Sequence, residues 1–266
     1  MNRSESQTGG VKPAFGGLAW GAILLAWSGY IAWLFSRGSL NTYLHPRMTP
    51  FALAAMIGFA VLGIVALTRA LAGKGPALPK LGFALFVIPV ALASAAGPRA
   101  LSEAAAGQRV MKSGGLKASS FASVDEYLAS LGPGDPIVFE DWSHAGLIGA
   151  IAADPAAFVG RSAELVGFAF RPNTTPQDRL YVTRFLVTCC VADAEPLGLL
   201  MEGAGAAGFE NYAWLRSKGV IELATVPNPY TGKDELVPLL RASFAEAAPK
   251  PFAEYLFPGQ DRKSVV

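Results

Sequence analysis

Two cysteines, Cys189 and Cys190, stand side by side in this chain, and Asp193 follows three residues later. Thiolates and a carboxylate together suit a borderline cation, with Zn2+ the candidate ion. A closed zinc site wants four ligands, and no CxxC or HxxxH pattern completes one. The sequence contains two histidines, His45 and His144, too few for a His-rich centre. Four readings of the pair therefore stand: packing residues, a ligand or metal site of Cys190 with Asp193, a redox pair, or a thiol that bonds a partner chain. A disulfide between neighbours in a regular strand is geometrically hard.

The pair lies in RFLVTCCVADA (184–194), and residues 180–192 read as one long β-branched strand. Strand alternation would put Tyr181, Phe185, Val187, Cys189 and Val191 on one apolar face. Val182, Arg184, Leu186, Thr188 and Cys190 would share the other, mixed face. The expectation is a core Cys189 that packs and a Cys190 that reacts or binds, with Arg184 favouring its thiolate and Asp193 assisting. A second group, His45, Pro46 and Arg47, lies in the loop 43–48, YLHPRM. It suits either a pore mouth or subunit contact, or a plain solvated loop in which Pro46 stops a helix.

Strand patterns are expected over 163–170, 197–201, 219–226 and 236–240 besides 180–192, separated by Pro172–Asn173, Pro196 and Asn228–Pro229. Short strands at this spacing fit a small OB-like barrel, with a generic β-roll as the alternative. Helices are expected near 123–131, where Ser123 and Glu126 form a capping box, and over 141–153. The tail 249–259 should lie extended over the surface. This soluble, mostly β domain spans 121–266, and 101–120 reads as a flexible linker.

The chain is 52% hydrophobic with a net charge of +2 and a mean hydropathy of +0.36. Residues 1–100 hold eight Lys/Arg against the single acid Glu5, whereas residues 101–266 hold 14 Lys/Arg against 19 acids. The acidic domain argues against nucleic acid, and the basic end suits anionic lipid headgroups. Three apolar segments, near 15–35, 50–69 and 81–97, form a transmembrane anchor over 1–100. Pro89 kinks the last, which is short for a span. The first is too long for the apolar run of a signal peptide. Lys/Arg flanks favour a cytoplasmic N-terminus, so three spans place the C-terminal domain outside the cytoplasm, and two would place it inside. The fold class is a membrane-anchored α + β chain. No GxGxxG, P-loop or GxSxG motif is present, and nothing in the sequence makes a convincing enzyme.

The string RFLVTCCVADAEPLG (184–198), the loop YLHPRM and the segment FVGRSAELVGFAF (158–170) resemble the YcgQ-like family of bacterial membrane proteins. Trp214 and Gly219 resemble a further family element at a slightly different spacing. The resemblance implies a multi-pass protein of the bacterial plasma (inner) membrane that pairs with a polytopic permease subunit. It implies a domain of unknown function, with links to zinc homeostasis in some members, and carries over Cys189, Cys190 and Asp193. The expected function is a non-enzymatic accessory subunit of a permease, in contact with the bilayer. The alternatives are a membrane-anchored thiol protein handling metal or redox equivalents, and a structural envelope protein.

Overall fold

The computed structural model describes residues 14–76, 81–96, 122–173, 175–203, 205–227, 233–251 and 254–258. The chain divides into two compact units, Met1–Arg99 and Ala100–Val266. The linker read over 101–120 and the side chain of Ser123 lie outside the described residues.

In the first unit the apolar runs form α1 (Phe15–Ser36), α2 (Thr49–Leu71) and α3 (Ala84–Ala96, with Pro89 inside). At 1.5 Å per residue, α1 and α2 extend about 33 and 35 Å, and α3 only about 20 Å. Two helical stretches, Phe15–Ser36 and Pro46–Leu71, are long and apolar enough to cross a membrane. A signal sequence near the N-terminus shares that property. The second stretch exposes Phe51, Ile57, Leu62 and Ile64. Small residues let the two helices approach closely. A Cβ on Gly21 would meet Leu67 Cγ at 2.7 Å, and one on Gly63 would meet Leu25 Cγ at 2.9 Å. Trp27 Nε1 donates to the Phe86 carbonyl at 3.0 Å and so ties α3 to α1.

The second unit opens with α4 (Ala122–Ser130), β1 (Ile137–Phe139) and α5 (His144–Ala153). It continues as β2 (Ser162–Phe170), β3 (Arg179–Leu186), β4 (Glu195–Gly203), β5 (Trp214–Pro227), β6 (Asp234–Ala247) and β7 (Tyr255–Leu256). The sheet order is β1-β2-β5-β6-β4-β3-β7, with an added β2–β3 pairing. β2 pairs antiparallel with β5 along Ser162–Phe168 and with β3 along Phe168–Phe170. β3 and β4 are antiparallel, β4 and β6 parallel, β6 and β5 antiparallel. Following the pairings from β2 therefore leads through β3, β4, β6 and β5 back to β2. At the irregularity between Lys218 and Gly219, a Cβ on Gly219 would overlap the Arg241 carbonyl oxygen. Only glycine lets β5 and β6 approach there.

Both faces of β3 are buried. Leu180, Val182 and Leu186 join a cluster with Leu147, Ile148 and Ile151 of α5, whereas Tyr181 and Phe185 join a second cluster with Phe168, Leu200 and Tyr255. Outside the sheet, Glu202 accepts from Arg179 and Arg241, each at 2.7 Å, and Arg241 also donates to Glu222 at 2.8 Å. This ladder links β3, β4, β6 and β5. The Arg241 hydrogen bond, with that of Arg179, outweighs burial and holds the Glu202 carboxyl below its ordinary range.

Two sequence expectations are corrected here. The strand read over 180–192 stops at Leu186, because from Thr188 onward the amides bond to the Asp193 side chain instead of a neighbouring strand. The tail read over 249–259 as extended over the surface sends Tyr255 and Leu256 into the sheet against Phe185 and Leu186. Tyr255, Leu256 and Phe257 are buried, so apolar burial draws this segment inward.

Candidate functional site

Beyond Leu186 the chain leaves the ladder. Val187 donates its amide to the Leu256 carbonyl at 2.9 Å, and the backbone then wraps around Asp193. Asp193 Oδ1 accepts from the Thr188 amide at 2.9 Å, and Oδ2 accepts from the Cys189 amide at 2.7 Å and the Cys190 amide at 3.4 Å. The Cys190 side chain accepts in return from the Asp193 amide, which closes a capping box at the short turn Val191–Asp193. Three converging amides make a concave site for an anion, and the chain fills it with its own carboxylate. Burial pushes the Asp193 carboxyl up, but the Cys189 thiol and the three amides outweigh it, and the net shift is downward.

Cys189 Sγ lies 3.8 Å from Cys190 Sγ, and the ligand atoms of Cys189, Cys190 and Asp193 all fall within 4.8 Å of one another. The expected faces are reversed. Cys189 is exposed and Cys190 half-buried, so the assignment of Cys189 to the core is wrong. Alternation had no strand to act on past Leu186. The assignment of Arg184 as the cation beside Cys190 is also corrected. Arg184 is buried, donates to Asp141 Oδ1 at 2.9 Å, and sits 5.4 Å from the Trp214 ring centroid.

The carboxylate and the Cys190 sulfur both stabilise the protonated Cys189 thiol, whose pKa is pushed up to about 11 from 9.0. Exposure alone would make this the reactive thiol, but its protonation opposes that. Cys189 is therefore expected to alkylate slowly at neutral pH, and faster with each pH unit until about 11. Asp193→Asn should return the thiol toward 9.0. The larger thiolate fraction, reduced by the lower basicity of the thiolate, leaves a gain of about tenfold in rate at neutral pH. Peptide-level mass spectrometry of native labelling checks this, and equal rates in wild type and variant would contradict it.

His45, Pro46 and Arg47 lie in the first unit. His45 is buried, and its Nδ1 accepts the Arg47 amide at 3.0 Å. Pro46 opens the turn Pro46–Met48 that leads into α2. The buried imidazole thus caps the turn.

The DUF1980 N-terminal domain matches residues 20–112, and the DUF1980 C-terminal domain matches residues 117–258. The chain belongs to the DUF1980 family. UPF0703 protein YcgQ of Bacillus subtilis (strain 168) is 27% identical over 105 residues, which is 40% of this chain and 35% of the relative. The alignment thus spans about a third of that protein's length. The YcgQ-like resemblance read from the sequence is borne out. Within this DUF1980 chain, the burial of His144 went unread in the sequence. His144 is fully buried beside Phe139, at 5.2 Å between ring centroids, and neither ring nitrogen has a partner among the described residues. Burial, and then the Arg184 charge, push its pKa down to about 3, so the imidazole is neutral. Asp141 and Arg184 are 43 residues apart, a separation that no local motif signals.

Proposed function

We propose that this DUF1980 chain is a non-enzymatic, membrane-anchored accessory subunit of a permease whose β domain carries a metal-related site. The carrying observation is the gathering of Cys189, Cys190 and Asp193 at the domain surface, with their ligand atoms within 4.8 Å. The permease partner is what the YcgQ-like resemblance implies. The two long apolar helices support a bilayer anchor. We read the strand circuit β2-β3-β4-β6-β5 as a five-stranded OB-like barrel. A binding role fits the absence of a nucleophile–base pair at Ser143–His144. Among the described residues, the hydrogen bonds of Ser143 Oγ go to backbone groups of Glu140, while the His144 ring is enclosed.

In this reading α3 is a third, short crossing, which places the β domain outside the cytoplasm of a bacterial plasma membrane. A second reading, a thiol protein acting without a permease, draws on the exposed Cys189 and its close sulfur neighbour. Purification of the full chain in mild detergent separates the two. The accessory role predicts a polytopic membrane protein in stoichiometric amount, and a reporter fused after Ser120 that is active only outside the cytoplasm. A chain that purifies alone would defeat the accessory role, and a cytoplasmic reporter signal would defeat the topology.

A further inference from the structure

We infer that the Cys189–Cys190–Asp193 loop is an open-sided site for a tetrahedral thiophilic dication of the Zn2+ type, with one coordination position left for a ligand from outside the chain. This deepens the metal-related reading above and rests on it.

Geometry selects the ion. Two bonds of about 2.3 Å at the tetrahedral angle hold their sulfurs about 3.8 Å apart, and the two sulfurs here are 3.8 Å apart. A linear two-coordinate ion would hold them about 4.6 Å apart at the same bond length and would have to spread the loop. A carboxylate beside the thiolates suits a borderline ion better than a purely soft one.

The hydrogen bonds decide the coordination number. A carboxylate offers about four lone-pair sites, and three of those on Asp193 face amides. One remains for an ion. Most of the carboxylate's work is to fix the backbone of both cysteines, so the sulfurs are held in place before any ion arrives. Among the described residues the cluster consists of these three side chains. Cys189 is exposed, so the vacant corner of the tetrahedron faces outward. Loading exchanges two thiol protons, released to solvent, for one dication. An ion with one outward position leaves by ligand substitution, as delivery to a partner requires. A structural site closed by four protein ligands holds its metal far more tightly.

Co2+ added to the full chain in detergent is the probe. The expected spectrum has sulfur-to-cobalt charge-transfer bands and tetrahedral d–d bands, and added imidazole shifts the d–d bands as it takes the open corner. Cys189→Ser and Cys190→Ser should each remove about half of the charge-transfer intensity. Asp193→Asn should keep both sulfur bonds and weaken binding about tenfold. Bound cobalt whose d–d bands ignore imidazole would overturn the open site and leave the metal-related reading standing. Failure to bind Co2+, or charge-transfer bands that neither serine variant changes, would overturn both.

Discussion

Asp141→Asn is expected to destabilise the β domain by about 3 kcal/mol, because it leaves the Arg184 guanidinium buried without its carboxylate. Arg184 is 2% exposed in a fully packed strand, and its Nη1 lies 2.9 Å from Asp141 Oδ1. Burial pushes the guanidinium pKa down, and Asp141 opposes that shift. The pair fixes the segment before α5 to β3, the strand that leads into the cysteine loop. Arg184→Met removes the buried charge along with its partner's task, keeps much of the side-chain volume, and should cost less than Asp141→Asn. Chemical denaturation of the full chain in detergent, followed by tryptophan fluorescence, measures both. A shift below about 1 kcal/mol for Asp141→Asn would put the pair in the class of weak surface bridges.

Acid should also weaken the domain before its carboxylates titrate. The folded His144 pKa is about 3, below the ordinary 6.5. Below pH 6.5 the unfolded chain therefore binds a proton that the folded chain excludes, and stability falls as pH falls. The slope approaches about 1.4 kcal/mol per pH unit, and the total loss reaches about 2 kcal/mol by pH 5. The contribution is fully present above 6.5 and is lost progressively on the way down to about 3. Asp193 and Glu202, whose pKa values are lowered, add their own losses in the carboxylate range, so the interval above pH 5 lies clear of them, and comparison with a His144 variant separates His144 from His45. His144→Phe, beside Phe139, should flatten that interval whatever it does to absolute stability. A wild-type melt that is level from pH 6.5 to 5 would contradict a neutral buried imidazole.

Periodicity made the long elements legible. The apolar runs became α1 and α2, and the strand patterns after Gly160 became β2 to β6. Elements too short to show a period were missed, as with β1 and β7, which owe their existence to pairing with β2 and β3. The second cause of error was the end of β3. Valine, threonine and cysteine past Leu186 keep a strand composition, yet Asp193 captures the amides of Thr188, Cys189 and Cys190 and ends the ladder. The sequence singled out three residues that the structure gathers but inverted the exposure of the cysteines. Alternation also misleads where a strand is buried on both sides, and this hid the fate of Arg184. In the first unit, Gly17-x3-Gly21 on α1 was a readable packing signal that went unused.

The proposed metal ion in the cysteine loop can be read by elemental analysis of the full chain, purified in detergent and equilibrated against buffered Zn2+. The wild type should retain about one Zn2+ per chain. A Cys189→Ser/Cys190→Ser double variant with an unchanged melting temperature should retain none. Equal zinc in the two proteins, or none in either, would contradict the proposal.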